Sequence, residues 1–253
     1  MTLGFWNMGW QSRRRSIAPA SAFICGCGHS GTSIITAILA AHPEIYVPLR
    51  ETGIFLGTKR QAKNDFKKLT AESIGSGRQF IVEKTPRHIH HLDLIREIVK
   101  DAKFIMPVRD GRDVATSIEK RTGDLTQGQE RWILDNSIVS REKNNRDVIV
   151  YRYECFIDDP SPILRQICEF IGVAYTPQIL NYHETERLWF GQSEIENRDA
   201  VGEGHEAHRN WQINQKIFDG RGKWKSVHTE EDFGLLNEGA GKSLMKEFCY
   251  IND

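Results

Sequence analysis

Gly26, Gly28 and Gly31 lie where an apolar run at residues 22–25 gives way to a helical stripe of Ile34, Ile35, Ile38 and Leu39. Glycines at a strand-to-helix junction let the backbone curl with its N–H groups turned inward, at the positive end of the helix that follows. The chemistry this offers is anion binding, most simply of a phosphate. Gly26 and Gly31 keep the Gly-to-Gly frame of a P-loop, but Thr32 stands where a Walker motif has its Lys. In nucleotide hydrolases that Lys reaches the β- and γ-phosphates and a strand-end Asp helps hold magnesium. Its absence argues against ordinary ATP or GTP chemistry and suits a ligand with a shorter chain at its 5′ end.

Two more polar groups occupy comparable junctions. Phe80, Ile81 and Val82 form a short buried strand, and Glu83 and Lys84 stand at its carboxyl end. Thr85 and Pro86 read as the N-cap and first residue of a helix with Leu92, Ile95, Ile98 and Val99 on its buried face. Residues 104–108 form another strand, in which Pro107 belongs at a bulge or an end, and Arg109 terminates it. Asp110 then caps a helix with Val114 and Ile118 on its core face and Ser117 in its second turn. In open parallel sheets, junctions of this kind line the ligand crevice.

The remaining elements are scaffold. His42-Pro43 stops the first helix, residues 44–50 run extended toward Glu51, and a weak helix carrying Ala62, Phe66 and Leu69 ends near Gly75. A longer helical region, about residues 126–145, carries Trp132, Leu134, Ile138 and Val139. A strand follows at 148–151, and helices open at Asp159-Pro160 and Thr176-Pro177. Residues 190–219 read as a loop or lid, and 233–250 as a closing helix interrupted near Gly239. Strands alternating with helices predict an α/β fold, a P-loop-like, mostly parallel sheet with helices on both faces. A flexible tail over 1–19 and one domain over 20–253 are expected.

Lys plus Arg equals Asp plus Glu at 34 each, so overall charge does not point to nucleic acid. The five cysteines lack disulfide-framework spacing, which fits a reducing compartment and a cytoplasmic protein. No apolar run is long enough to span a membrane, and the apolar residues near the amino terminus precede the Arg13-Arg14-Arg15 cluster, the reverse of a signal peptide. Cys25, Cys27 and His29 straddle a strand end with no fourth ligand, so no metal site is expected. Gly239 to Ser243 imitates a Walker ending but has Leu236 where the first glycine belongs, and reads as a turn. His205 and His208 lack zinc-helix spacing, and His88, His90 and His91 read as decoration of a helix start.

Taken together, four stretches resemble the sulfotransferases that use 3′-phosphoadenosine 5′-phosphosulfate (PAPS). Gly26, Gly28, His29, Ser30, Gly31, Thr32 and Ser33 resemble their 5′-phosphosulfate loop, and Arg109 with Ser117 their 3′-phosphate element. A strand-end Arg offers bidentate hydrogen bonds, and a hydroxyl up to two turns into the next helix can face the same anion. Glu83-Lys84-Thr85-Pro86 is similar to a motif of the carbohydrate and heparan-type members. His42-Pro43 with Glu51 and Phe55 is similar to the segment that carries the general base there and in tyrosylprotein sulfotransferases. Tyr153-Glu154 through Pro160 resembles the segment whose Tyr lies near the adenine, and Gly222-Lys223-Trp224 resembles the carboxyl-terminal nucleotide loop.

The resemblance implies the sulfotransferase fold and sulfuryl transfer from PAPS, as co-substrate and without a metal, to a hydroxyl acceptor. Glu51 would be the general base, and Lys84 with His29 would stabilise the leaving oxygen. Tyr153, Gly222, Lys223 and Arg221, a displaced candidate for the family's usual Arg, would complete the nucleotide site. Three features depart from the pattern: His29 replaces a Lys or Arg, the Arg-Lys-Gly of many cytosolic members is missing, and Pro86 stands where those members carry a catalytic His. The last favours Glu51 as base. The leading acceptor is a carbohydrate or glycolipid hydroxyl, then a small metabolite or a tyrosine; no nucleic-acid partner is implied and the oligomeric state is open. Competing readings are a small-molecule kinase on the same scaffold and a non-catalytic member that binds nucleotide or glycan.

Overall fold

Strand β1 (Ala20–Ile24) shows why the sheet has two covered faces. Phe23 points into one core with Phe55, Phe104 and Val108, while Ala22 and Ile24 point into another with Ile35, Ile38 and Ile105. A strand buried on both sides carries an unbroken apolar run, as found here. The computed structural model describes residues 19–48, 50–188 and 210–252. The expected tail and most of the expected loop at 190–219, with His205 and His208, lie outside the described residues.

Helix α1 (Thr32–Ala40) follows the glycine loop, and β2 (Ile45–Tyr46) lies within the stretch expected to run extended. Helix α2 (Lys59–Gly75) opens on a capping box between Thr58 and Gln61. After β3 (Phe80–Lys84) comes a 3-10 turn (Pro86–His91) and then α3 (Leu92–Ile98), so the single helix expected from Thr85 to Val99 is two pieces. Thr85 makes no side-chain cap; its hydroxyl oxygen accepts from the Gly53 N–H instead and donates its proton to Glu83. Strand β4 (Lys103–Val108) leads into α4 (Gly111–Thr122), capped by the Asp110 side chain on the Arg112 N–H.

Next come α5 (Leu125–Glu142), β5 (Val148–Arg152), α6 (Tyr153–Asp158) and α7 (Pro160–Ile171). The sequence reading did not anticipate α6. Leu134, one of the apolar residues carried by α5, is 59% exposed. Two short helices, Gly234–Asn237 and Gly239–Glu247, close the chain. The Walker-like Gly239 to Ser243 opens the second of these and is helix, not turn. Gly241 is explained by packing, since a Cβ there would meet the Leu235 carbonyl at 2.0 Å.

All five strands are parallel, in the order β2-β3-β1-β4-β5. From β1 the chain goes first to β2 and β3 on one side, then crosses to β4 and β5 on the other. The carboxyl ends of β1, β3 and β4 therefore flank a topological switch point, the crevice where open α/β sheets bind ligands. Pro107 sits beyond the registered β1–β4 pairs, so its missing N–H breaks no bond to β1. Among the described residues no helix is long and apolar enough to cross a membrane.

Candidate active site

The glycine loop, the end of β4 and the start of α6 enclose a cavity of about 280 Å³. Gly28, His29, Gly31, Thr32 and Ser33 line it from the loop, Arg109 and Ser117 from the β4–α4 junction, Tyr153 from α6, and Gly220 and Lys223 from the carboxyl-terminal segment. Gly31 has a φ of 89°, and a Cβ there would lie 2.6 Å from the Tyr153 ring, so both backbone conformation and packing call for glycine. As N-cap of α1, Gly31 offers no side-chain partner to the helix N–H groups, and the first turn carries no acidic residue. Those N–H groups are left for an anion.

Arg109 is held in a frame of its own. Its guanidinium lies 4.6 Å above the Tyr153 ring, donates to the His29 carbonyl at 3.1 Å and to the Gly220 carbonyl, and stands 3.7 Å from Asp113. Its Nε is buried without a hydrogen-bond partner among the described residues, as is the Ser30 Oγ. Buried donors left over beside a cavity with an open helix N-terminus fit an anionic ligand that would complete them. His29 has a φ of 68° and places Nδ1 2.8 Å from the Ser117 hydroxyl, which ties the glycine loop to α4.

A second group gathers at the end of β3. Lys84, 3% exposed, bonds Glu51 at 2.5 Å. The neighbouring Glu83 is fully buried and fastens the segment after Glu51. Its Oε1 accepts from the Thr52 hydroxyl at 2.7 Å, the Thr52 N–H at 3.3 Å and the Thr85 hydroxyl at 2.6 Å, while the Thr85 oxygen accepts from the Gly53 N–H. His88 Nδ1 stands 2.9 Å from Glu83 Oε2, and its Nε2 accepts from the Phe55 N–H. Burial works to raise the Glu83 carboxyl, but the approach of His88 and the bonds from Thr85 and Thr52 more than offset it and hold it below its ordinary value. Phe55 itself packs edge-on against Phe23, 5.5 Å between ring centres. Residues 52–55 are thus pinned to the core, which sets Glu51 against Lys84.

The structure brings most of the anticipated residues to one rim. Gly26 does not line the cavity; it shapes the loop with a φ of 135° and an N–H bonded to the Pro86 carbonyl. The Gly222 N–H is bonded to Asp113 at 2.8 Å. Arg221 turns away to Asp219 and Asp158 and is not among the lining residues. His88 and His90, taken as surface decoration, instead pair with Glu83 and with the buried Asp135.

Sequence reasoning also passed over several contributors. Asp113, buried on α4, accepts from the Gly222 and Trp224 N–H groups and thereby docks the carboxyl-terminal loop beside Arg109. Thr116, Lys120 and Arg121 line the same cavity from α4, with Ile157, Ile213 and Phe218 as its apolar wall. Asp113 could have been noticed as the acidic residue in the first turn of a helix that begins at Asp110.

A parallel sheet with a glycine loop at its switch point, facing a strand-end Arg, is a phosphate-loop architecture. The sulfotransferase family model matches residues 58–177. That match covers somewhat less than half of the chain, whose sheet and flanking helices have the sulfotransferase fold. A protein-tyrosine sulfotransferase of Caenorhabditis elegans is 27% identical over 202 residues, covering 64% of this chain and 52% of that protein. The chain therefore spans about half the length of that relative. The sulfotransferase domain of a Synechococcus olefin synthase is similar in fold, with a TM-score of 0.68 at 19% identity over 93% of this chain and 96% of that one. A mouse sulfotransferase solved in complex with PAP has a TM-score of 0.60 at 17% identity, over 89% of this chain and 88% of that one.

Proposed function

We propose that the protein transfers the sulfuryl group of PAPS to a hydroxyl acceptor, with Glu51 as general base. The observation that carries this reading is the cavity joining the glycine loop to Arg109 and Ser117; the Glu51–Lys84 pair does not line it, but lies at the end of β3, whose Lys84 is in register with Ile24 just before the loop. A nucleotide with phosphate groups at both 5′ and 3′ ends would use both sets of donors, whereas AMP would use one. Arg109, Ser117 and Lys223 would hold the 3′-phosphate end, the loop the 5′ end, and Tyr153 with Ile157 and Phe218 the base.

In the transfer, Glu51 takes the acceptor's proton as the acceptor oxygen bonds to sulfur. The bond from sulfur to the bridging oxygen breaks in line, and Lys84 and the loop N–H groups meet the negative charge left on the 5′-phosphate. His29 bonds Ser117 through its ring and accepts from Arg109 through its carbonyl, and its role is to close the loop onto α4. A carbohydrate or glycolipid hydroxyl is the acceptor class we propose first. The relationship to protein-tyrosine sulfotransferases supports a second, a tyrosyl hydroxyl.

Calorimetric titration with 3′-phosphoadenosine 5′-phosphate (PAP), AMP and ATP without metal tests the nucleotide half of this reading. Micromolar PAP binding that AMP does not share and Arg109→Ala removes is the expected result. Equal binding of ATP, or no binding of PAP, would sink it.

A further inference from the structure

The glycine-loop position that the family fills with Lys or Arg is His29 here, and its Nδ1 is engaged with Ser117 on α4. A permanent cation from another helix, α5, nevertheless touches the loop. We propose that Arg131 on α5 takes that part, reaching past the bare α-carbon of Gly28 to donate to the sulfuryl oxygens and serving as a catalytic residue; the inference rests on the sulfuryl-transfer reading above.

Four observations converge on it. A Cβ at Gly28 would lie 3.3 Å from Arg131 Nη2 and 3.8 Å from its Cζ, so the guanidinium is laid on the bare α-carbon of the loop. The φ of Gly28 is outside the left-handed region, and a Cβ there would push the guanidinium tip aside by a few tenths of an ångström. Arg131 is aimed by its other end: its Nε is 3.5 Å from Asp135 Oδ2, and Asp135, with a side chain 3% exposed, also bonds His90 Nε2 at 2.7 Å. A buried carboxylate held at two points fixes the stem and leaves the Nη edge on the loop.

The cavities supply the fourth observation. Gly28 lines the nucleotide cavity, and Arg131 does not; it lines a separate cavity of about 400 Å³ together with Arg87, His90 and Gln127. Gly28, which lines the first, and Arg131, which lines the second, are in contact where the two cavities approach each other. In-line displacement puts the acceptor and the leaving phosphate on opposite sides of sulfur. A cation reaching the loop from outside the nucleotide cavity is placed for the sulfuryl oxygens rather than for the nucleotide phosphates. The planar guanidinium can donate two parallel bonds to such oxygens, which an imidazole cannot.

The test compares two ligands that differ only by the sulfuryl group. Wild type, Arg131→Gln and Arg131→Lys are titrated with PAPS and with PAP. Loss of a charge-assisted hydrogen bond lowers PAPS affinity about tenfold or more in Arg131→Gln, with PAP affinity within about twofold of wild type. Arg131→Lys, which keeps a cation beside Asp135 and so guards the fold, recovers part of the loss. A purely structural role would weaken both ligands together, so parallel losses, or no loss for PAPS, overturn the inference while leaving the sulfuryl-transfer reading standing. A wild-type protein that binds neither ligand overturns both.

Discussion

Glu51 and Lys84 show how much one ion pair constrains the chemistry. Lys84 is nearly fully buried and paired with Glu51, and a buried ammonium left without a partner would cost several kcal/mol. Glu51 is a third exposed, which lets an acceptor reach the carboxylate from solvent. Replacing Glu51 with Gln keeps the shape and removes the carboxylate proposed as base. Turnover of PAPS, followed as PAP release, should fall by about 10² to 10⁴ while PAP affinity stays within about twofold. Turnover near that of wild type would assign the proton to another group. If Lys84 meets the leaving oxygen as proposed, Lys84→Ala should also lower turnover at saturating PAPS, because that charge loses its counter-ion.

At the scale of elements, the β3 end and the segment after Glu51 form one unit, with Glu83 as its rivet. Glu83→Gln keeps an acceptor for Thr52 and Thr85 but turns an NH₂ toward the His88 N–H, leaving two buried donors facing each other. Breaking a buried charged network of this kind costs about 3–5 kcal/mol, measurable as a shift in urea midpoint. The pH dependence has a defined sign. The folded-state carboxyl lies below its ordinary 4.5, so its contribution is fully present above that pH and is lost as pH falls through the lowered value. Glu83→Gln should remove that acid limb of the stability curve; a limb of unchanged depth would show that other carboxylates produce it. The sequence made the glycine loop and the strand-end Lys84 and Arg109 visible because their signals are local, a few residues around each junction. It hid Glu83, Asp113 and Arg131, whose partners are Thr52, Gly222 and Gly28, far along the chain and brought near only by packing. Helix α6 was hidden for another reason: it starts at the residue after β5, with no turn signal between them.

The whole molecule couples these parts through the order of its strands. Alternating strands and helices were enough to predict a covered parallel sheet, and the placement of Arg109 opposite the glycine loop follows from β4 lying on the other side of β1 from β3. That order is a long-range outcome with no local sequence mark. A ligand bridging the loop and α4 would therefore staple together both halves of the sheet, and its binding energy would appear as stability of the entire fold. PAP at 100 times its dissociation constant adds about 2.7 kcal/mol. For a chain of 253 residues this corresponds to a rise in Tm of about 5–10 °C, followed by differential scanning calorimetry. The rise should survive chelation with EDTA and vanish in Arg109→Ala, whose frame holds the carboxyl-terminal segment at Gly220 and the loop at His29. An equal rise with ATP, or one that EDTA abolishes, would mean that the two halves are joined by a different ligand and that the glycine loop serves metal-bound nucleotide after all.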